Sequence, residues 1–210
     1  MISIPLIRRE LTSDLLGRHI YLFGAGSATT EILRRLADAG AAEGTVVLSE
    51  SGGTRLSAAA LFRPHLVVGA VPLFSAIATL ALAEALRRGD RDAMPIWPDL
   101  VTVDDAIVGR SMAETAAAGD RASYVILGAE IDVRALDATL HGAGDCNGVV
   151  ATFLNALDRW ATAYAARGPA AVKGAIHFLP RGPAHVREKS GGMQCAFAMS
   201  RAVTSRHRRR

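Results

Sequence analysis

The chain has 210 residues, 50% of them hydrophobic, and a formal net charge of +4; that composition supports a sizeable core and excludes disorder throughout. Arg206, Arg208, Arg209 and Arg210 carry the whole excess, so the body is near neutral. The tail is open to two readings, a solvated end or a contact with nucleic acid or an acidic membrane, but no aromatic residue interleaves with it for base stacking.

Cys146 and Cys195 are isolated, which supports neither a disulfide framework nor a metal site and fits a cytoplasmic location. Early charges between Met1 and Asp14 argue against a secretory leader. His19 to Phe23 predicts a strand that Gly24 ends. Thr29 to Ala39 sets Ile32, Leu33, Leu36 and Ala37 at helical spacing, and Gly40 stops the helix. Thr45 to Leu48 is β-branched and predicts a second strand, and Ser51 to Thr54 a loop. Leu66 to Ala83 carries no charge and is long enough for a membrane span. Pro72, Ser75 and Thr79 interrupt it, and Glu84, Arg87 and Arg88 continue its helical pattern. The reading is a strand over Leu66 to Val71 and then a buried helix to Arg88, with no membrane crossing. Met94 to Trp97, Leu100 to Val103 and Ile107 to Ala113 predict strands, with Asp104-Asp105 as a tight turn. Tyr124 to Leu127 is a further strand closed by Gly128. Val149 to Ala166 is a helix whose apolar face holds Val150, Phe153, Leu154, Leu157 and Trp160.

Beyond Gly168 the pattern is broken by Pro180, Gly182, Pro183 and Gly191-Gly192. Residues 1–168 are therefore expected to form one domain, and residues 169–210 an irregular extension with a basic tail. Short strands clustered between helices predict an α+β fold: a mixed, mostly antiparallel sheet backed by helices.

Two motifs compete for the chemistry. Gly24-Ala25-Gly26-Ser27-Ala28-Thr29 lies between a strand and a helix, with Glu50 at the end of the next strand. This is the setting of a dinucleotide-binding turn, where a helix N-terminus receives a pyrophosphate and an acidic residue a ribose. Thr29 stands where a third glycine would let helix and strand pack closely, and regular strand–helix alternation does not continue. Ser27 or Thr29 as helix N-cap is the competing reading. A thiol nucleophile built from Cys146 with Asp145, Asn147 and His141 matches no defensible spacing.

The second pattern is spread from Leu16 to Gly168. Leu16-Gly17-Arg18-His19-Ile20-Tyr21-Leu22-Phe23 is similar to the opening strand of bacterial biotin–protein ligases, and Ser27-Ala28-Thr29-Thr30-Glu31 falls where that family has Ser-Thr-Asn. Ile96-Trp97-Pro98-Asp99-Leu100 resembles its Trp-Pro-Asn-Asp motif, one residue short. Val103-Asp104-Asp105-Ala106-Ile107-Val108-Gly109 resembles its hairpin ending in Lys-x-x-Gly. Gly128-Ala129-Glu130-Ile131-Asp132-Val133 resembles Gly-Ile-Gly-Ile-Asn-Val, and Ala138-Thr139-Leu140 echoes the segment after it. The resemblance implies a divergent member of the biotin/lipoate ligase superfamily, with an architecture related to class II aminoacyl-tRNA synthetases. It implies ATP-dependent activation of biotin to biotinyl-adenylate, with Mg²⁺, and transfer to a lysine of a biotin carrier protein, the acetyl-CoA carboxylase subunit.

By the same resemblance, Arg55 is the expected catalytic cation. Ser27, Thr29, Thr30, Glu50, Ser51, Gly53, Trp97, Asp99, Gly109, Gly128 and Asp132 are expected to bind substrate or ATP, and no protein metal site is expected. Several departures matter. The family's lysine is Ala106, and the only lysines are Lys173 and Lys189. Arg110 is near in sequence, but the sequence does not fix which face it takes. The loop expected over Ser51 to Ala60 is short, and Asp132 replaces an asparagine, so a carboxylate stands near the expected phosphates. Impaired catalysis, or a pseudoenzyme that only binds, is the expectation. No DNA-binding helical domain is recognisable ahead of the body, and homodimerisation is left open.

Overall fold

The computed structural model describes residues 1–24, 27–88, 92–138 and 145–177. Its centre is a seven-stranded sheet in the order β1-β2-β3-β7-β6-β5-β4. The strands are β1 (Ile20–Phe23), β2 (Val46–Ser51), β3 (Arg55–Phe62), β4 (Ala93–Ile96), β5 (Leu100–Val103), β6 (Ala106–Ala118) and β7 (Arg121–Asp132). Only β1 and β2 pair in parallel, across the crossover helix α2 (Thr29–Asp38); every other neighbour is antiparallel. The expected α+β class with a mixed, mostly antiparallel sheet is the observed one.

One face of the sheet carries the main core. Leu48, Leu56, Ala58, Phe62, Val125, Leu127 and Ile131 meet α3 (Val71–Leu86), α5 (Cys146–Arg167) and the short N-terminal helix α1 (Ile4–Glu10) there. The other face carries a smaller cluster, in which Leu33 and Ala37 of α2 cover Val47, Ala59, Leu61, Tyr124 and Ile126. The helix α3 is apolar on all sides because the sheet and α5 pack against it. Residues Val68–Leu86 are long and apolar enough to span a membrane by composition, yet Phe74, Ile77, Leu82 and Leu86 are buried inside the protein.

Three differences from the sequence reading stand out. Leu66 to Val71, expected as a strand, makes one isolated bridge, Val67 to Arg121, and then a 3-10 turn over Val68–Ala70; Pro72 sits in the first turn of α3, where its missing N–H costs nothing. Residues 55–60, expected as part of the Ser51 to Ala60 loop, belong to β3, which is buried from Leu56 onward between β2 and β7. Gly128 lies inside β7 rather than at its end. The helices α1, α4 (Val133–Ala138) and α6 (Ala170–His177) were not anticipated, and Val172 of α6 is fully buried in the main core. The basic tail, Cys195, Lys189, His141, Thr139 and Leu140 lie outside the described residues, as do Pro180, Gly182, Pro183 and Gly191-Gly192.

Candidate functional site

The antiparallel register decides which side chains share a face, because directly opposed residues point the same way. Across β3, β7 and β6, Ala59 stands opposite Gly128 and Gly128 opposite Met112; Ser57 stands opposite Glu130 and Glu130 opposite Arg110. Arg55 stands opposite Asp132 on one side and Ser51 on the other, and Ser49 opposite Ser57. The α2 cluster, with Leu61, Tyr124 and Ile126, occupies one end of this same face. Past Ala59, which α2 covers, the face runs from Gly128 and Met112 into a polar row of Ser49, Ser57, Glu130 and Arg110, and ends at Arg55 and Asp132.

The stretch at Gly128 is poor in side chains for a physical reason. A Cβ on Gly128 would lie 2.8 Å from the Ala58 carbonyl oxygen, 3.1 Å from the Ala59 Cβ and 3.2 Å from the Met112 Cγ. Ser49 and Ser57 are buried, whereas Glu130, Asp132 and Met112 are half-buried and Arg55 is exposed. The Ser49 hydroxyl donates to the Ser27 carbonyl at 3.1 Å, tying the β1–α2 connection to the face. Arg110 pairs with Asp99 at 3.6 Å, the two side chains being 36% and 38% exposed.

The segment Trp97-Pro98-Asp99 joins β4 to β5 through a cis Trp97–Pro98 bond. Its carbonyls are held from below. The fully buried Thr79 hydroxyl of α3 donates to the Pro98 oxygen at 2.9 Å, and the Ser111 N–H donates to the Asp99 oxygen at 2.7 Å. Thr79 and Ser111 also share a hydrogen bond at 2.8 Å. Trp97 is half-buried.

The remaining expected residues are distributed as follows. Thr29 is buried at the start of α2; Ala28 holds the N-cap position and makes no side-chain cap, so neither Ser27 nor Thr29 caps the helix. Thr30 follows on α2, half-buried. Glu50 stands opposite Leu56, a main-core residue, and accepts the Ile2 N–H at 2.7 Å, so it faces away from the polar row. Ser51 ends β2 and Gly53 belongs to the β2–β3 turn, where Gly52 and Gly53 have φ of 52° and 67° and Thr54 donates to the Ser51 carbonyl. Gly109 turns to α3, because a Cβ there would meet Leu82 at 3.0 Å. Asp132 receives the Ala135 N–H at 3.0 Å and so caps α4. Ala106 stands opposite Val103 at the Asp104-Asp105 turn, whereas Arg110 stands opposite Glu130 of β7. Asp145 caps α5 through Gly148, and Asn147 receives the Ser3 N–H, so both side chains beside Cys146 are engaged in the frame of the fold.

Sequence reasoning missed Ser49, Ser57 and Glu130 and left the face of Arg110 undecided. Alternation groups these four only once the register of β2, β3, β7 and β6 is known. Among the described residues, no three His, Cys, Asp or Glu side chains converge as a metal site.

The sheet also bears on the dinucleotide reading. That reading needs repeated parallel crossovers, and only the β1-α2-β2 unit is parallel here; Gly24 follows β1, Gly26 lies outside the described residues, and Glu50 faces the opposite side. No family model and no curated protein matches the chain. Solved structures do. A biotin protein ligase-like protein of unknown function from Silicibacter superposes with a TM-score of 0.69 at 15% identity, covering 87% of this chain and 82% of that one. The biotin protein ligase of Aquifex aeolicus gives 0.60 at 16% identity over 76% of this chain and 75% of its own.

This is the biotin–protein ligase fold.

The Leishmania major ligase, solved with biotinyl-5-AMP, shares the fold with a TM-score of 0.59 at 13% identity, over 84% of this chain and 87% of that one. The ligase fold therefore accounts for the sheet and its helices together.

Proposed function

We propose that this domain binds ATP and a short carboxylic acid of the biotin class on the face beyond α2. It joins them as an acyl-adenylate with release of pyrophosphate and passes the acyl group to a lysine of a biotin carrier protein in the cytoplasm. The observation that carries this reading is the ligase-type sheet with its side-chain-poor stretch at Gly128 and, at the far end of the same face, Arg55. Arg55 is the guanidinium this reading assigns to the carboxylate and phosphate oxygens, where negative charge concentrates during the reaction. Ser27, Thr29, Thr30 and Ser51 border the acid, and Trp97 and Asp99 the nucleotide. Gly53 leaves the turn beside Arg55 low. Gly109, turned to α3, and Glu50, on the opposite face, contribute through the frame instead. Mg²⁺ fits only as a companion of the ATP phosphates, shared with a carboxylate such as Asp132, and when bound it supplies charge neutralisation there.

Turnover is slow, because Ala106 offers no cation and Arg110 is drawn to Asp99. Losing one such donor lowers rates by roughly two to three orders of magnitude. The test is incubation of the protein with labelled ATP and biotin. Acid-dependent pyrophosphate release at about a hundredth or less of an ordinary ligase rate, abolished in Arg55→Ala, is the expected result. Release at ordinary rates would show that the Ala106 deficit does not matter, and no release at all would make the domain a binding protein only.

A further inference from the structure

We infer that Thr79, buried on the core side of the sheet, is a positioning residue for the nucleotide end of the site. The inference rests on the proposed placement of Trp97 and Asp99 beside the nucleotide and deepens it by naming what holds them there.

Thr79 is the one polar residue among the buried residues of α3, and it is fully buried. A hydroxyl inside an apolar helix costs free energy unless a partner takes it up, and a serine or threonine can find that partner by turning back onto its own helix. Ser75, one turn earlier, does so and donates to the Val71 carbonyl at 3.1 Å. Thr79 instead donates out of the helix to the Pro98 carbonyl at 2.9 Å and meets the Ser111 hydroxyl at 2.8 Å. Each hydroxyl has a single proton. With the Thr79 proton on Pro98, the short contact takes the Ser111 proton, and the 3.4 Å approach of the Ser111 hydroxyl to the Asp99 carbonyl is the weaker alternative. The Asp99 carbonyl keeps the Ser111 N–H at 2.7 Å in either case. The two buried hydroxyls are therefore unequal: Thr79 ties the segment through its side chain, whereas Ser111 holds it chiefly through its main chain. Pro98 lies between Trp97 and Asp99, and the Asp99 carboxylate pairs with Arg110 at 3.6 Å. The Thr79 tie thus fixes where the Trp97 ring and the Asp99 carboxylate stand.

The test compares Thr79→Val, Thr79→Ser and Ser111→Ala in the full chain carrying Trp160→Phe, which leaves Trp97 as the only tryptophan. Acrylamide quenching of Trp97 is read without ligand, and binding of ATP and of biotin is read separately by calorimetry. Thermal melts establish that each variant folds, and Thr79→Ala takes the place of the valine variant should that one fail to fold. We expect Thr79→Val to raise the Trp97 quenching constant about twofold or more and to weaken ATP about tenfold or more, with biotin affinity unchanged. Thr79→Ser, which keeps the hydroxyl, restores both readouts. Ser111→Ala leaves both near the parent values although it lowers the melting temperature. A purely structural role gives a different pattern, in which every effect follows the loss of melting temperature whichever hydroxyl is removed. Unchanged Trp97 quenching in Thr79→Val overturns the inference, as does an equal effect of Ser111→Ala or a parallel loss of ATP and biotin binding. A parent protein that binds no ATP or no biotin sinks the proposed function, and the ligand-free quenching then decides by itself whether Thr79 positions the segment.

Discussion

Tyr124 shows how the covered end of the site face stores a pH dependence. Its ring is buried under α2, and its hydroxyl donates to Asp38 at 2.9 Å. Burial first, and then the Asp38 hydrogen bond and charge, push the phenol up from 10.0 to about 12. The folded protein thus prefers the neutral phenol, and the associated stability is complete below the unfolded value near 10 and is lost as pH rises towards 12. Urea unfolding at a series of pH values is expected to show that loss, and Tyr124→Phe to reduce its slope. The tyrosinate absorbance that appears last should vanish in the same variant. None of this was legible in the sequence, where Tyr124 is merely the first residue of a strand. Its partner Asp38 is remote in the chain, and only the crossover of α2 back over the sheet brings the two together.

Among the elements, β3 was the hardest to read and matters most for the site. Ser57-Ala58-Ala59-Ala60 has no β-branched residue, so its local preference is for anything but a strand, and pairing with β2 and β7 on both sides decides its conformation. The helices α2 and α5, by contrast, were legible because their apolar residues recur at helical spacing. The buried strand ends were misjudged at Gly128, since a glycine reads as a terminator when its true reason is the approach of the Ala58 carbonyl and Met112. At the same scale, Thr79 links α3 to the turn between β4 and β5. Thr79→Val keeps the volume but removes the donor to the Pro98 carbonyl and leaves the Ser111 hydroxyl with only its longer bond to the Asp99 carbonyl, at 3.4 Å. The expected cost is about 1–3 kcal/mol in denaturant unfolding. Adenylation should fall as well if Asp99 borders the nucleotide.

For the molecule as a whole, the aromatic contacts show what joins the layers. Phe74 of α3 meets Phe62 of β3 edge-on at 5.9 Å and Tyr164 of α5 at 5.5 Å. Phe74→Ala removes the ring on which sheet and both helices converge, and should cost about 3–5 kcal/mol, read from the shift of the urea midpoint at constant slope. The layer arrangement was foreseeable from strand clustering and helix periodicity, but the charge row on the opposite face was not, because it is assembled from strands far apart in the chain. The all-round apolar character of α3 has a further consequence, one of timing. Residues 71–86 leave the ribosome about sixty residues before their cover, α5, begins. For that interval the nascent chain carries a long apolar helix whose α5-facing side is unshielded, so any truncation ahead of Cys146 should yield a product that chaperones retain or that aggregates.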